Sequence, residues 1–155
     1  MSTFKKKLNM KKILFSLFAF SLINFSFSQE IKLSEESQFF NIGSKNSIVV
    51  SIPYGVKDIV EKELRRELKD WDGKYDSGKG EFFTIQASTK TMGGKPFDAY
   101  AKIITESDNS MKVAFAIDLG GAFLSSREHG AQYKAMSEMI KDFAKKTFWL
   151  VLTKN

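Results

Sequence analysis

The chain has 155 residues, 43% of them hydrophobic and 27% charged, and contains no cysteine. That is enough chain for one domain with its own core, and it excludes disulfides, thiolate catalysis and a cysteine-borne lipid anchor. The formal charge of +6 is concentrated in Lys5, Lys6, Lys7, Lys11 and Lys12, and the other 19 basic residues face 18 acids, so the electrostatic case for a nucleic-acid partner falls away.

The five lysines precede "ILFSLFAFSLINFSF", residues 13–27, an uncharged and largely apolar run, and Ser26 and Ser28 then offer small residues for cleavage before Gln29. This is the layout of a secretory signal peptide, expected over residues 1–28. A bilayer span needs about 20 apolar residues, whereas this run is broken by Ser16, Ser21 and Asn24. Membrane contact is therefore expected only transiently, through the signal, with the processed protein periplasmic or secreted.

Residues 29–46 read as a polar leader able to add an edge strand, and residues 47–155 as a single domain. "SIVVSIP" is β-branched and ends on Pro53, which predicts a strand over 47–52. Val56, Ile59, Val60, Leu64, Leu68 and Trp71 then recur at helical spacing. Asp58 and Glu61 lie near the start of that helix, Glu61–Arg65 is an i,i+4 pair, and Gly73 is the expected stop.

"GKYDSGKG", residues 73–80, is one letter from the phosphate-loop pattern G-x-x-x-x-G-K-[ST], with Gly80 in the hydroxyl position. A phosphate loop leaves a strand and opens a helix. This stretch leaves a helix and enters a strand, so it reads as a glycine-rich connection. "DWDGKYD", residues 70–76, fails as a calcium loop because Tyr75 stands where that loop requires glycine.

Three strands follow. In "EFFTIQAST" alternation groups Phe83, Ile85 and Ala87 on an apolar face; in "FDAYAKIIT" it groups Phe97, Ala99, Ala101 and Ile103; in "MKVAFAIDL" it groups Met111, Val113, Phe115, Ile117 and Leu119. "GGKP" and "SDNS" between them are turn sequences, so an antiparallel meander is expected. "FLSSREHGAQYKAMSEMIKDFAKK" is a second helix with a Ser125–Glu128 capping box and a stripe of Tyr133, Met136, Ile140, Phe143 and Ala144. "TFWLVLTKN" then reads as a final strand or an apolar tail. The expected fold class is α+β: a two-layer sandwich, β-α-β-β-β-α, with two helices on one face of an antiparallel sheet, ferredoxin-like or TBP-like.

Chemically able side chains are densest in "DLGGAFLSSREHG", residues 118–130. A hydrolase would use Ser125 or Ser126 as nucleophile, His129 as base and Asp118 as orienter. No G-x-S-x-G elbow is present, and capping already accounts for Ser125. No metal or cofactor set is expected. Small and amphipathic residues on the polar sheet face, Gln86, Tyr100, Lys102 and Lys112 among them, mark a possible interaction face.

The signal ending "FSFSQ", the stretch "DLGGAFLSSREH" and the following "QYKAMSEMIKDFAKK" together resemble an uncharacterised family of small secreted proteins of Bacteroidota, over about residues 47–146. The resemblance implies a long charged helical segment after the second helix; here Lys146 is followed by "TFWLVLTKN". It implies no catalytic motif. The expected function is an exported binding or interaction module of the periplasm or envelope, its partner an envelope protein or small ligand. A small hydrolase or metal-dependent enzyme using residues 118–130 and a self-associating envelope component are the alternatives.

Overall fold

The computed structural model describes residues 30–106 and 110–154. The expected signal, residues 1–28, and most of the "SDNS" turn lie outside them. The elements are β1 (Leu33–Phe40), β2 (Gly43–Pro53), α1 (Lys57–Lys69), β3 (Lys74–Gly78), β4 (Glu81–Ala87), β5 (Phe97–Thr105), β6 (Ser110–Asp118) and α2 (Gly130–Lys154). The strands form one six-stranded antiparallel sheet in the order β1-β2-β6-β5-β4-β3. Among the described residues this is an α+β fold with two helices, and Ile31–Asn155 form one compact unit.

Of the two edge strands, β1 was open to the sequence as an addition from the leader, and β3 is additional to those read from it. β1 lies within the polar leader. Its residues "LSEESQFF" are mostly exposed, because an edge strand with charged outward positions needs no hydrophobic alternation. β3 is "KYDSG", five residues of the near-phosphate loop. Its connection to β4 is a two-residue turn, with Lys79 at φ 53° and Gly80 at φ 78°. Positive φ at both central residues matches the right-handed twist of a tight hairpin.

Gly73 does not end α1; the helix stops at Asp70, whose N–H bonds to the Arg66 and Glu67 carbonyls. Gly73 instead lets the chain pass close to β4. A Cβ there would lie 2.5 Å from Thr84 Cγ2 and 2.6 Å from the Ile85 carbonyl oxygen.

β4 reverses the expected alternation. Phe82 and Thr84 are buried, while Phe83 and Ile85 are half-buried and point to the other face. The register slips between Thr84 and Ala87, and Gln86 has φ 55°. This bulge inserts one residue and returns Ala87 to the buried face. Thr84 is tolerated inside because its hydroxyl donates to the Leu68 carbonyl at 2.7 Å, closing the end of α1 onto β4.

The large core cluster joins Ile48, Val50 and Ile52 of β2, Phe97, Ala99 and Ala101 of β5, and Met111, Val113, Phe115 and Ile117 of β6. α1 adds Val60, Leu64 and Leu68, and α2 adds Met136, Ile140, Phe143 and Ala144. Phe115 is central: its ring centroid lies 6.1 Å from Trp71 and 5.8 Å, edge-on, from Phe143.

α2 runs on to Lys154, so "TFWLVLTK" is helical and not a strand. Thr147 and Val151 continue the buried stripe at four-residue steps from Phe143, and that packing overrides the strand preference of the segment. The Thr147 hydroxyl is satisfied by the Phe143 carbonyl at 2.8 Å. The helix also starts later than the sequence suggests. Ser125 Oγ accepts the Glu128 N–H at 3.2 Å and closes a turn just ahead of Gly130.

Candidate functional site

The second face of the sheet is formed by the alternate residues: Lys112, Ala114, Ala116 and Asp118 on β6, Asp98, Tyr100, Lys102 and Ile104 on β5, and Phe83 and Ile85 on β4. Part of it is roofed. β2 pairs with β6 only from Ile48 onward, so its first five residues, paired with β1, leave the main sheet. The tip of this hairpin lies over β5 and β4. Lys102 Nζ donates to the Phe39 carbonyl at 2.6 Å and stands 5.3 Å from the Phe40 ring. The Asn41 N–H donates to Glu81 Oε1 at 2.6 Å.

Under this roof Phe40, Val49, Ala114 and Ala116 are buried in a second small cluster, with Tyr100, Ile104 and Phe123 packed against it. The sequence suggests a wetter face here. The small alanines instead admit a covering layer of backbone and two phenylalanines.

Beside the roof the face opens into a cleft of about 460 Å³ lined by Asn41, Ile42, Ser77, Lys79, Glu81, Phe83, Ile85 and Tyr100, with Asp76 and Gly78 at its rim. The Phe83 and Tyr100 rings, register partners, lie 6.3 Å apart and form its floor. Glu81 is a buried carboxylate on the wall, and Lys79 sits at the tip of the β3–β4 turn. Burial raises the Tyr100 hydroxyl above its ordinary pKa, and the Asp98 and Asp118 carboxylates raise it further. The hydroxyl therefore keeps its proton to a higher pH than a free tyrosine does.

Of the four interaction-face residues singled out in the sequence, Tyr100 alone lines this cleft. Lys102 is committed to the hairpin tip. Gln86 sits in the bulge, its N–H held by Asp98 Oδ1 at 2.8 Å. Lys112 pairs with Glu106 at 3.3 Å. The alternation predicts Phe83 and Ile85 in the core, because the bulge at Gln86 hides their true phase. The cue was the "FF" pair at 82–83: adjacent residues of a strand point to opposite faces, so the two rings cannot both enter one core.

The 118–130 segment is held by local bonds. Asp118 Oδ1 accepts the Gly120 N–H at 2.9 Å and faces that of Gly121 at 3.4 Å, in a bend where both glycines have positive φ. His129 Nδ1 accepts the Ser125 N–H at 3.2 Å. Nδ1 as acceptor places the proton of a neutral imidazole on Nε2. Ser125 Oγ accepts from Glu128 and its carbonyl from the His129 N–H. The segment is tied to the hairpin by Glu35, whose Oε1 accepts from Ser126 N at 3.0 Å and Asn46 Nδ2 at 2.7 Å. Among the described residues, no three His, Asp or Glu side chains gather so as to hold a metal ion.

No protein-family model matches the chain, and no curated protein matches it.

Proposed function

We propose that the protein is an exported binding module of the periplasm or cell envelope, whose ligand site is the cleft on the second face of the sheet. The carrying observation is the cleft itself: an aromatic and aliphatic floor of Phe83, Ile85 and Tyr100, bordered by a few polar groups, is the usual make-up of a ligand pocket. The hairpin roof on one side and the β3–β4 turn on the other give it shape without a deep enclosed chamber. Such a site suits recognition of a small amphipathic ligand or a protruding side chain of an envelope protein.

In this reading both helices share the opposite face of the sheet. The joint presence of α1 and α2 residues in the large cluster with Phe115 supports that arrangement. Four strands separate the helices, which favours a TBP-like sandwich over the β-α-β-β-α-β order of a ferredoxin-like one. The hydrolase alternative has less support, because Asp118, Ser125 and His129 direct their hydrogen-bonding atoms at turn and cap backbone.

An amide-resolved NMR titration against envelope-derived peptides, sugars and lipids tests the site. A binder is expected to shift Phe83, Ile85 and Tyr100 together, with Tyr100→Ala weakening it about tenfold or more. Shifts that map elsewhere on the surface, or a Tyr100→Ala variant that binds unchanged, would reject the cleft. Export is read separately: protein recovered from the envelope fraction should begin at Gln29.

A further inference from the structure

The last turns of α2 expose apolar groups that neither the core nor the cleft uses. Trp149 is 65% exposed and Leu152 46% exposed, on a helix whose other side is buried through Phe143, Thr147 and Val151. Lys141, Lys145, Trp149 and Leu152 follow at steps of four, four and three, so they form one stripe. The buried stripe fixes the helix in rotation and aims this one outward. Lys145 and Lys146 are exposed one turn before the tryptophan, and the nearest acid on that face, Asp142, lies two turns before it.

We infer that this end of α2 is a docking surface for an anionic lipid bilayer. Two kinds of occupant would cover an exposed Trp–Leu pair, and the surrounding charge decides between them. The contact zone of a protein partner is typically depleted in lysine. A bilayer interface favours tryptophan at headgroup depth with lysines beside it, and each lysine near an anionic surface adds attraction. The contact is peripheral. Among the described residues no helix is long and apolar enough to cross a membrane, and the packed side of α2 belongs to the core. Trp149 and Leu152 would enter the headgroup boundary while the lysines meet lipid phosphates. This goes beyond the sequence expectation of purely transient membrane contact through the signal, and it uses residues far in sequence from the cleft.

The chain's two tryptophans make the test direct. Trp71 is 2% exposed and Trp149 is open, so a quencher carried in the bilayer reads Trp149. The apolar run at 13–27 can hold the full chain to vesicles by itself. The readout is therefore the depth of Trp149 and not co-sedimentation. The full chain is mixed with phosphatidylcholine vesicles with and without phosphatidylglycerol, some bearing brominated acyl chains. Trp149 emission is expected to shift to the blue and be quenched with phosphatidylglycerol present, and to recover in high salt. Lys145→Gln should weaken the response about fivefold, and Leu152→Ser about tenfold, with thermal midpoints unchanged. Trp149 emission indifferent to phosphatidylglycerol, or equal with neutral vesicles, would overturn the inference. So would shielding of Trp149 from iodide before lipid is added; a concentration dependence of that shielding would assign the surface to a second copy of the chain. Phe83→Ala should leave every one of these readouts intact, which separates this surface from the cleft.

Discussion

Along β6, Met111, Val113, Phe115 and Ile117 enter the large cluster with residues of α1 and α2, while Ala114 and Ala116, one pleat step away, lie in the small cluster with Phe40 of the hairpin tip. Both sets are buried, but by different means. A helix presents a broad stripe of side chains and is met by large apolar residues. A hairpin tip presents backbone, and only small residues let it approach. The alanines are thus shaped to their cover, and where that cover ends, at Phe83, Ile85 and Tyr100, the face is left as a cleft. One sheet serves for cohesion on one side and for access on the other.

The contrast breaks most clearly at Phe115. Phe115→Ala removes the ring that meets both Trp71 and Phe143 and should cost about 4 kcal/mol, read as a fall in the denaturant midpoint at constant slope. Gly73→Ala should come next, at about 3 kcal/mol, because the added methyl meets Thr84 and the β4 backbone, which has little room to yield. Gly80→Ala meets no neighbour, but its φ of 78° strains an alanine, so it should cost about 1 kcal/mol. On the accessible side, Phe83→Ala should cost only about 1 kcal/mol while removing one of the two rings of the cleft floor. If it proved as destabilising as Phe115→Ala, the second face would be core.

The smallest effects are electrostatic and of opposite sign. Burial raises the Glu67 carboxyl above its ordinary value of 4.5; the Trp71 Nε1–H bond and Lys146 offset this in part, and Asp70 and Asp142 add to it. Its stabilising contribution is complete below that value and is lost as pH rises through the folded pKa. Glu67→Gln should therefore be more stable than the parent at neutral pH and equal to it in acid. At Glu35 burial again acts to raise the carboxyl, but the hydrogen bonds from Ser126 and Asn46 outweigh it and hold it below 4.5. Its contribution is present above that value and fades as pH falls through the folded pKa. Glu35→Gln should lower the thermal midpoint at neutral pH and leave it unchanged in strong acid. Midpoints measured across pH would check both.

The sequence was legible where one physical pattern ruled a whole element. β6 alternates without interruption and α1 repeats its apolar residues at helical spacing, and both stand where the spacing predicts. β4 misled because the positive-φ bulge at Gln86 changes the phase partway along. β3 was hidden and β1 legible only as an option, because edge strands need little apolar character, and "KYDSG" and "SEES" look like connections. The end of α2 misled for the opposite reason: "FWLVL" has the composition of a strand, and only its tertiary partners make it a helix. The cleft was the least legible part. It depends on a hairpin tip more than thirty residues before the strands it overlies, and of its floor residues Tyr100 alone stood out in the sequence.

The β3 edge has a further effect on how copies of this protein treat one another. Ser77 stands opposite Phe82, one step from the pair that closes the tight turn, so its amide faces away from β4. The neighbouring Asp76 carboxylate already occupies that amide, at 2.8 Å. A stray strand arriving at this margin meets a negative charge where it needs a donor, along a stretch only five residues long. Runaway sheet growth is thereby discouraged at the border beside the open cleft.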